Sequence, residues 1–512
     1  MKSKQPLLRV IGSLTAASLL ALFLFSSTKT IKAPDFPGSC PWLNTHEHLS
    51  LEKLKGHVIL LNFWTYGSIN CIHVIPDLEY LEKKYHDKPF HVIGVHSAKF
   101  YNEQDAENIR AAIARYEIKH PVIVDKGHKI WRTYRASAWP TFVLIGSDGN
   151  VIVVLRGEGQ RNTLDRLIQG ALKLGKRNIT LAAQKYEIKI PPIPERQLAF
   201  PGKLAMNIEK QVLYISDSNH NQIVEAVLET PTKANVRHRI GSGRKGLKDG
   251  NYTKSAFFRP QGIDFHNGRL YVADTENHAI RVVDLTKKKV KTLIGTGKQG
   301  DYGEPNSPWD LVYYNNNLYI AMAGSHQLWR YDLKKKKMDH AAGNGYQNIM
   351  DGSAFGSSLA QPSGITTDGK NLYFADSEAS ALRYSSIEKG AVKTLIGKGL
   401  FKFGFRDGKF ADAYLQHPLG VFYSDNKVYI ADTYNHAVRT ADLAAGTIRT
   451  LIKRSNKTTC NINGTDYSVL PLYEPNDVLV YKNYIYIADT NNHLIRVYDT
   501  TTKKLETLIL VE

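Results

Sequence analysis

Cysteine is almost missing from this chain: Cys40, Cys71 and Cys460 are the only three in 512 residues. Three thiols do not make the framework of a small disulfide-stapled fold, and an odd count leaves at least one unpaired within the chain. Methionine is also scarce, with five copies, while tyrosine reaches 28, a bias toward strands. Acidic side chains fall short of basic ones, 48 against 67, so the formal net charge is +19. Such a balance suits nucleic acid, anionic membrane or acidic envelope polymers. Much of the excess, however, sits in "TKKKVK" (286–291) and "LKKKKM" (333–338), between strand-like apolar segments. Solvated hairpin tips account for these runs, and with no nucleic-acid module present a nucleic-acid partner is not expected. Core material is not lacking. Hydrophobic residues at 42% exclude global disorder, and 512 residues are too many for one ordinary domain.

One long apolar run exists, "VIGSLTAASLLALFLF" (10–25), preceded by Lys2, Lys4 and Arg9. It has the charged and apolar regions of an export signal, although its 16 residues are just short of the roughly 17–25 of a spanning helix. The best cleavage position, after Ala33, would put Pro34 beside the cut. Residues 1–33 are therefore expected to be an uncleaved signal anchor rather than a cleaved peptide. Membrane attachment through this segment would leave the bulk of the chain extracytoplasmic, in the periplasm or at the cell surface.

Two unlike halves follow. From 34 to 176 strands and helices alternate: "HVILLNFW" (57–64) reads as a strand buried on both faces, and "INCIHVIPDLEYLEKKYH" (69–86) as a helix kinked at Pro76. Strands "FHVIGVH", "HPVIVD", "TFVLIG" and "VIVVLRG", with helices at 102–118 and 161–175, complete an α/β sheet covered on both faces. A linker at 177–189 leads into 190–512, where short strands carry a phrase in six copies. Its Asp position falls at 217, 274, 376, 432 and 489, with Met322 in the third copy. A second phrase, "FFRPQGI", "SPWDL", "AQPSGI", "QHPLGV", lies between copies. Six helix-free units predict a closed six-bladed β-propeller, so the fold class is multidomain, α/β followed by all-β. Recurrence of His and Arg in most copies argues for a structural part rather than metal or phosphate ligation. No unpatterned His/Asp/Glu cluster supports a metal-dependent propeller hydrolase or lyase, and no cofactor is expected.

The repeat resembles the NHL repeat, whose triplet stands literally at Asn492-His493-Leu494. The first half resembles the thioredoxin superfamily, especially its membrane-anchored extracytoplasmic branch and the members that carry an NHL propeller. That likeness rests on "LSLEKLKGHVILLNFW" (49–64), "HVIPDL" (73–78) and "WPTFVLIGSDG" (139–149). It implies a thioredoxin fold, a cis-proline at Pro140, and thiol–disulfide exchange on envelope proteins with the propeller as a recognition platform. In "FWTYGSINC" (63–71), Ser68 occupies the place of the attacking cysteine and Cys71 that of the resolving one. A hydroxyl is too weak an acid for this step, so the motif is redox-impaired as written. Asn62 also replaces the buried Asp that many thioredoxins use.

Three readings follow. The domain is a non-turnover module with Cys71 as a small apolar residue; or Cys71, alone or with Cys40, forms mixed disulfides with partner proteins; or Ser68 is an engineered substitution of a natural cysteine. A scaffold in which both halves only bind proteins is the rival function. Catalytic candidates are Cys71, Ser68 and Pro140. Trp64, Trp139 and Thr141 are candidates for an apolar groove that contacts substrate protein, with ordinary core packing the alternative for the two tryptophans. His73 has two readings, a group that lowers the Cys71 pKa or a helix-surface residue, and His96 and Ser97 stand further back at a strand end.

Overall fold

A computed structural model describes residues 31–190, 192, 194–300, 303–453, 458–462, 465–469 and 471–512, with backbone alone over 458–469. The apolar run at 10–25 lies outside them, as does the Cys460 side chain. Among the described residues no helix is long and apolar enough to cross a membrane.

The first half is a six-stranded sheet: β1 (Trp42–Leu43), β2 (Val58–Trp64), β3 (Phe90–His96), β4 (Val122–Val124), β5 (Thr141–Ile145) and β6 (Val151–Arg156). Their order is β1-β4-β3-β2-β5-β6, with β2, β3 and β4 parallel and the other pairs antiparallel. Every residue of β2 and β3 is buried, as the nearly continuous apolar spelling of β2 requires. Helices α1 (Ile69–His73), α2 (Ile75–Lys84), α3 (Ala106–Arg115), α4 (Lys129–Thr133) and α5 (Arg161–Arg177) cover it. Val74 breaks the first helical run and Pro76 lies in the opening turn of α2, as expected for a residue without an N–H. The helix expected from 102 starts later, because Asp105 caps α3 by accepting the Glu107 N–H.

The second half is a six-bladed propeller with blades at 201–240, 260–294, 308–342, 362–396, 420–452 and 477–507. The ring closes where Ile509–Val511 pairs in parallel with the outer strand of blade 1. The lysine runs are exposed turns between the outer strands of blades 2 and 3.

Two repeated devices lock the blades. In blades 2, 4 and 5 the phrase Asp accepts a hydrogen bond from the incoming chain and pairs with a buried Arg seven residues on: Asp274–Arg281 2.7 Å, Asp376–Arg383 2.8 Å, Asp432–Arg439 2.7 Å. In blade 6 the pair Asp489–Arg496 is looser, at 3.4 Å. Blade 3 replaces both members together, and Met322 and Trp329 pack in one apolar cluster. The second device joins neighbours. The turn residue of each blade stands in the left-handed region and accepts the backbone N–H that leads into the next blade. These pairs are Asn221–Arg259, His278–Ser307, His326–Gln361, Ser380–His417, His436–Glu474 and His493–Phe200, at 2.9–3.2 Å. Asn and His tolerate positive φ better than most residues and carry an acceptor at the right reach. The recurrent His is thus an inter-blade clamp. Thr275, next in the phrase, adds a bond from its hydroxyl to the Pro308 carbonyl of the next blade at 2.7 Å.

On the propeller axis Lys203 Nζ sits 3.4 Å from Asp310 and 3.7 Å from Asp477 and donates to the Leu419 carbonyl. Among the described residues no group of three His, Cys, Asp or Glu side chains has metal-ligating geometry.

Candidate functional site

The end of β2 delivers Thr65, Tyr66, Gly67 and Ser68 to the start of α1, the loop on which thioredoxin chemistry depends. Ser68 is the N-cap, its carbonyl accepting from Cys71 and Ile72 N–H. Cys71 is fully buried, and desolvation raises its thiol pKa to about 12 despite hydrogen bonds from Thr65 and Ser68. The thiolate fraction at neutral pH is therefore negligible. Trp139-Pro140 is a cis peptide, and Thr141 pairs with Phe63 across β5 and β2, so these residues flank the motif. Trp139 is half-buried, its indole N–H donating to the Ser97 carbonyl at 2.9 Å. Trp64 is buried in the core with Cys71 and presents no surface for a partner.

Two sequence expectations change. Cys40 is buried in the core on the opposite face of the sheet from Cys71, and both are free thiols. His73 lies neither free on a helix surface nor beside the thiol. Its Nδ1 is 2.6 Å from Glu158 and its Nε2 2.8 Å from Ser307 of the propeller. His96 is buried between Trp64 and Tyr66, and desolvation lowers its pKa to about 3.

Beneath the loop lies Glu103, which sequence reading did not single out. Its carboxylate accepts from the Thr65 hydroxyl and from the N–H groups of Gly67, Lys99 and Phe100, at 2.5–3.0 Å. Burial outweighs these donors and raises its pKa to about 7.

Above the loop lies the mouth of the propeller. The residue before the first proline of each blade has positive φ, and these six form a ring: Phe200, Arg259, Ser307, Gln361, His417 and Glu474. Every one of them meets the thioredoxin-like half. Gln361 spans the motif, its Oε1 accepting from Ile69 N–H and its Nε2 donating to the Gly67 carbonyl, both at 2.8 Å. Glu474, fully buried, accepts from Tyr66 OH and Asn102 on one oxygen and from Arg115 and Asn491 on the other, at 2.6–2.9 Å. Arg259 pairs with Glu117 at 2.7 Å, His417 meets Phe100 edge-on and stacks on Tyr434, and Phe200 faces the Arg115 guanidinium. Lys99 and Glu378 form a further buried pair across the boundary, at 2.5 Å. A Cβ on Gly67 would stand 2.9 Å from Tyr434 Oη and 3.1 Å from His417 Cε1, so the loop fits only with glycine there.

The ring had a signal in the sequence. Its residue varies from copy to copy directly before a proline that recurs in every copy, but nothing in the spelling says what it would meet.

A thioredoxin-like family model matches residues 56–151, and an NHL repeat model matches 257–283. The chain is 40% identical over 505 residues to protein suppressor of quenching 1, chloroplastic, of Arabidopsis thaliana, covering 93% of this chain and 47% of that one. It is 37% identical to NHL repeat-containing protein 2 of Homo sapiens, covering 93% of this chain and 71% of that protein. Over 121 residues it is 31% identical to the thiol-disulfide oxidoreductase ResA of Bacillus cereus, covering 24% of this chain and 67% of that one. The chain thus spans about half the length of the plant relative and about seven tenths of the human one.

Proposed function

This chain belongs to the family of NHL repeat-containing protein 2, and from that premise we propose that it is a redox-impaired member of a thiol–disulfide exchange lineage, acting outside the cytoplasm. The observation that carries the reading is the state of Cys71: the only thiol in the motif is fully buried, with its pKa raised to about 12. Ser68 cannot open a disulfide, and Cys71 cannot be reached by one. The propeller mouth, seated on the same loop, favours a second reading in which the thioredoxin-like half is a binding module fixed to a recognition platform. The export-like segment at 2–25 supports membrane attachment and an extracytoplasmic bulk.

The test is alkylation of the native protein with a maleimide, followed by alkylation after denaturation. Cys71 is expected to be modified only after denaturation, and no adduct with another protein should depend on it. Modification of native Cys71 at the rate of an open thiol would sink the proposal. The Ser68→Cys variant separates the readings. Disulfide reductase activity gained by it supports an exchange enzyme silenced at one atom; continued inertness supports the binding module. Fractionation settles location, with the chain expected in the membrane or exported fraction.

A further inference from the structure

Exposed aromatic side chains are not spread evenly over this molecule. Tyr101 of the thioredoxin-like half, Tyr346, Met350 and Phe355 of the loop before blade 4, and Phe401 and Phe405 of the loop before blade 5 are 45–77% exposed. The two loops touch, since Ile349 and Leu400 pack on the same cluster of Ala360, Ala379 and Ala381. Phe403, between the two exposed phenylalanines, packs against Phe100 and Tyr101, at 4.8 and 5.0 Å between ring centroids, which ties the loop to the other domain. The result is an apolar and aromatic strip on two adjoining loops that, through Phe403, reaches across the domain boundary.

The strip is preorganised. Gly404 N–H donates to Leu415, Asn435 donates to the Gly404 carbonyl, and Arg439 lies 4.8 Å from the Phe405 ring. Rings held in place lose little freedom on binding, and aromatic residues dominate interface energies. Its charge is predominantly positive. Among the described residues Lys398, Lys402, Arg406 and Lys409 are exposed and make no ion pair, whereas two of the three acids of these loops are spent internally and the third is the exposed Asp412. Asp407 is bound by Arg439 and Thr450, and Asp351 by Arg383 and Thr394.

We infer that this strip is a docking surface for an acidic segment of a partner protein, one that carries aromatic or aliphatic residues among its carboxylates. The apolar side chains would lie on Phe401, Phe405 and Tyr101, and the carboxylates would meet these four cations. This rests on reading the propeller as a recognition platform and names the face and chemistry of recognition.

The experiment is fluorescence anisotropy on the full chain with three labelled probes: a short peptide alternating Glu with Phe and Tyr, the same peptide with Gln for Glu, and oligothymidylate. The acidic peptide is expected to bind and to weaken as salt rises. Phe401→Ala with Phe405→Ala should weaken it roughly tenfold or more, and Lys402→Glu with Arg406→Glu should do likewise. All four positions are exposed, so the thermal transition should not move, which guards against misfolding. Equal, Phe-dependent binding of the Gln peptide would overturn the charge assignment while leaving the platform standing. Tighter binding of oligothymidylate would make the strip a nucleic-acid surface instead. Absence of any binding would remove both the inference and the platform reading for this face.

Discussion

Two sets of six positions in the propeller have nearly the same geometry and opposite diversity. The clamp residues, Asn221, His278, His326, Ser380, His436 and His493, are mostly histidine, and all do one job: accept an N–H from the next blade. The mouth residues, Phe200, Arg259, Ser307, Gln361, His417 and Glu474, receive that clamp on their backbone with the same positive φ, yet are six different amino acids. The difference lies in what their side chains face. Clamps face a neighbouring blade, the same environment six times, and mouth residues face six different patches of a domain without symmetry. Within a repeat, uniformity marks internal work and diversity marks contact with something else.

The comparison predicts where damage appears. Removing a wholly buried repeat partner should break the propeller itself. Arg383→Met leaves the Asp376 carboxylate without its cation and should cost about 3–5 kcal/mol, seen as a lowered propeller transition in calorimetry. Blade 3 supplies the rescue, because Met322 and Trp329 replace the pair together. The double variant Asp376→Met with Arg383→Trp should recover most of the loss, and a double variant no better than the single would mean that blade 3 survives for another reason.

Removing a mouth residue should instead separate the halves and leave the propeller intact. Glu474→Ala strips four donors of their acceptor and leaves Arg115 unpaired. The expected loss is roughly 2–4 kcal/mol of docking, below the blade pair because Arg115 keeps some solvent. Maleimide should then reach Cys71 in the native protein while the propeller transition stays in place. A fall in that transition with Cys71 still protected would erase the distinction between the two sets.

Gln361→Ala sharpens the comparison at one amide. Two hydrogen bonds to the motif loop disappear, a loss of about 1–3 kcal/mol. Hydrogen exchange at Ile69 N–H should accelerate, whereas Gly67 N–H, held from below by Glu103, should not change. Acceleration of both would mean that the propeller, rather than Glu103, shapes the loop.

Both architectures were legible because each rests on a periodic or local signal. The nearly continuous apolar run of β2 spells a sheet covered on both faces, and six copies of one phrase spell six blades. The broken motif was legible too, since a serine at 68 needs no structure to be recognised. The environment of Cys71 was not. It is set by Gln361 and Tyr434, some 290 and 360 residues away in sequence, and by a packing of two domains that no local pattern encodes. His73 was misplaced for the same reason, as its partners Glu158 and Ser307 come from other elements. Cys40 could not be placed from the sequence, because sequence order does not say which face of the sheet a leading segment covers.

The clamps themselves give the smallest and most specific prediction. His326 must be neutral to accept the Gln361 N–H at Nδ1, and burial lowers its pKa to about 4. In the unfolded chain the same group titrates near the ordinary value of about 6.5. Between these values the unfolded state binds the proton and the native state does not, so stability falls as pH falls, by about 1.4 kcal/mol per unit, and the loss is complete near pH 4. Blade 1 performs the same task with Asn221, which accepts the Arg259 N–H at 3.0 Å and has no proton to gain. His326→Asn should therefore leave stability near its parent value at neutral pH and exceed the parent by about 2 kcal/mol at about pH 5. Thermal melts of the two proteins across that range should diverge on acidification. Parallel curves would mean that the His326 proton is not excluded by the clamp, and the shared chemistry of the six clamps would reduce to shape alone.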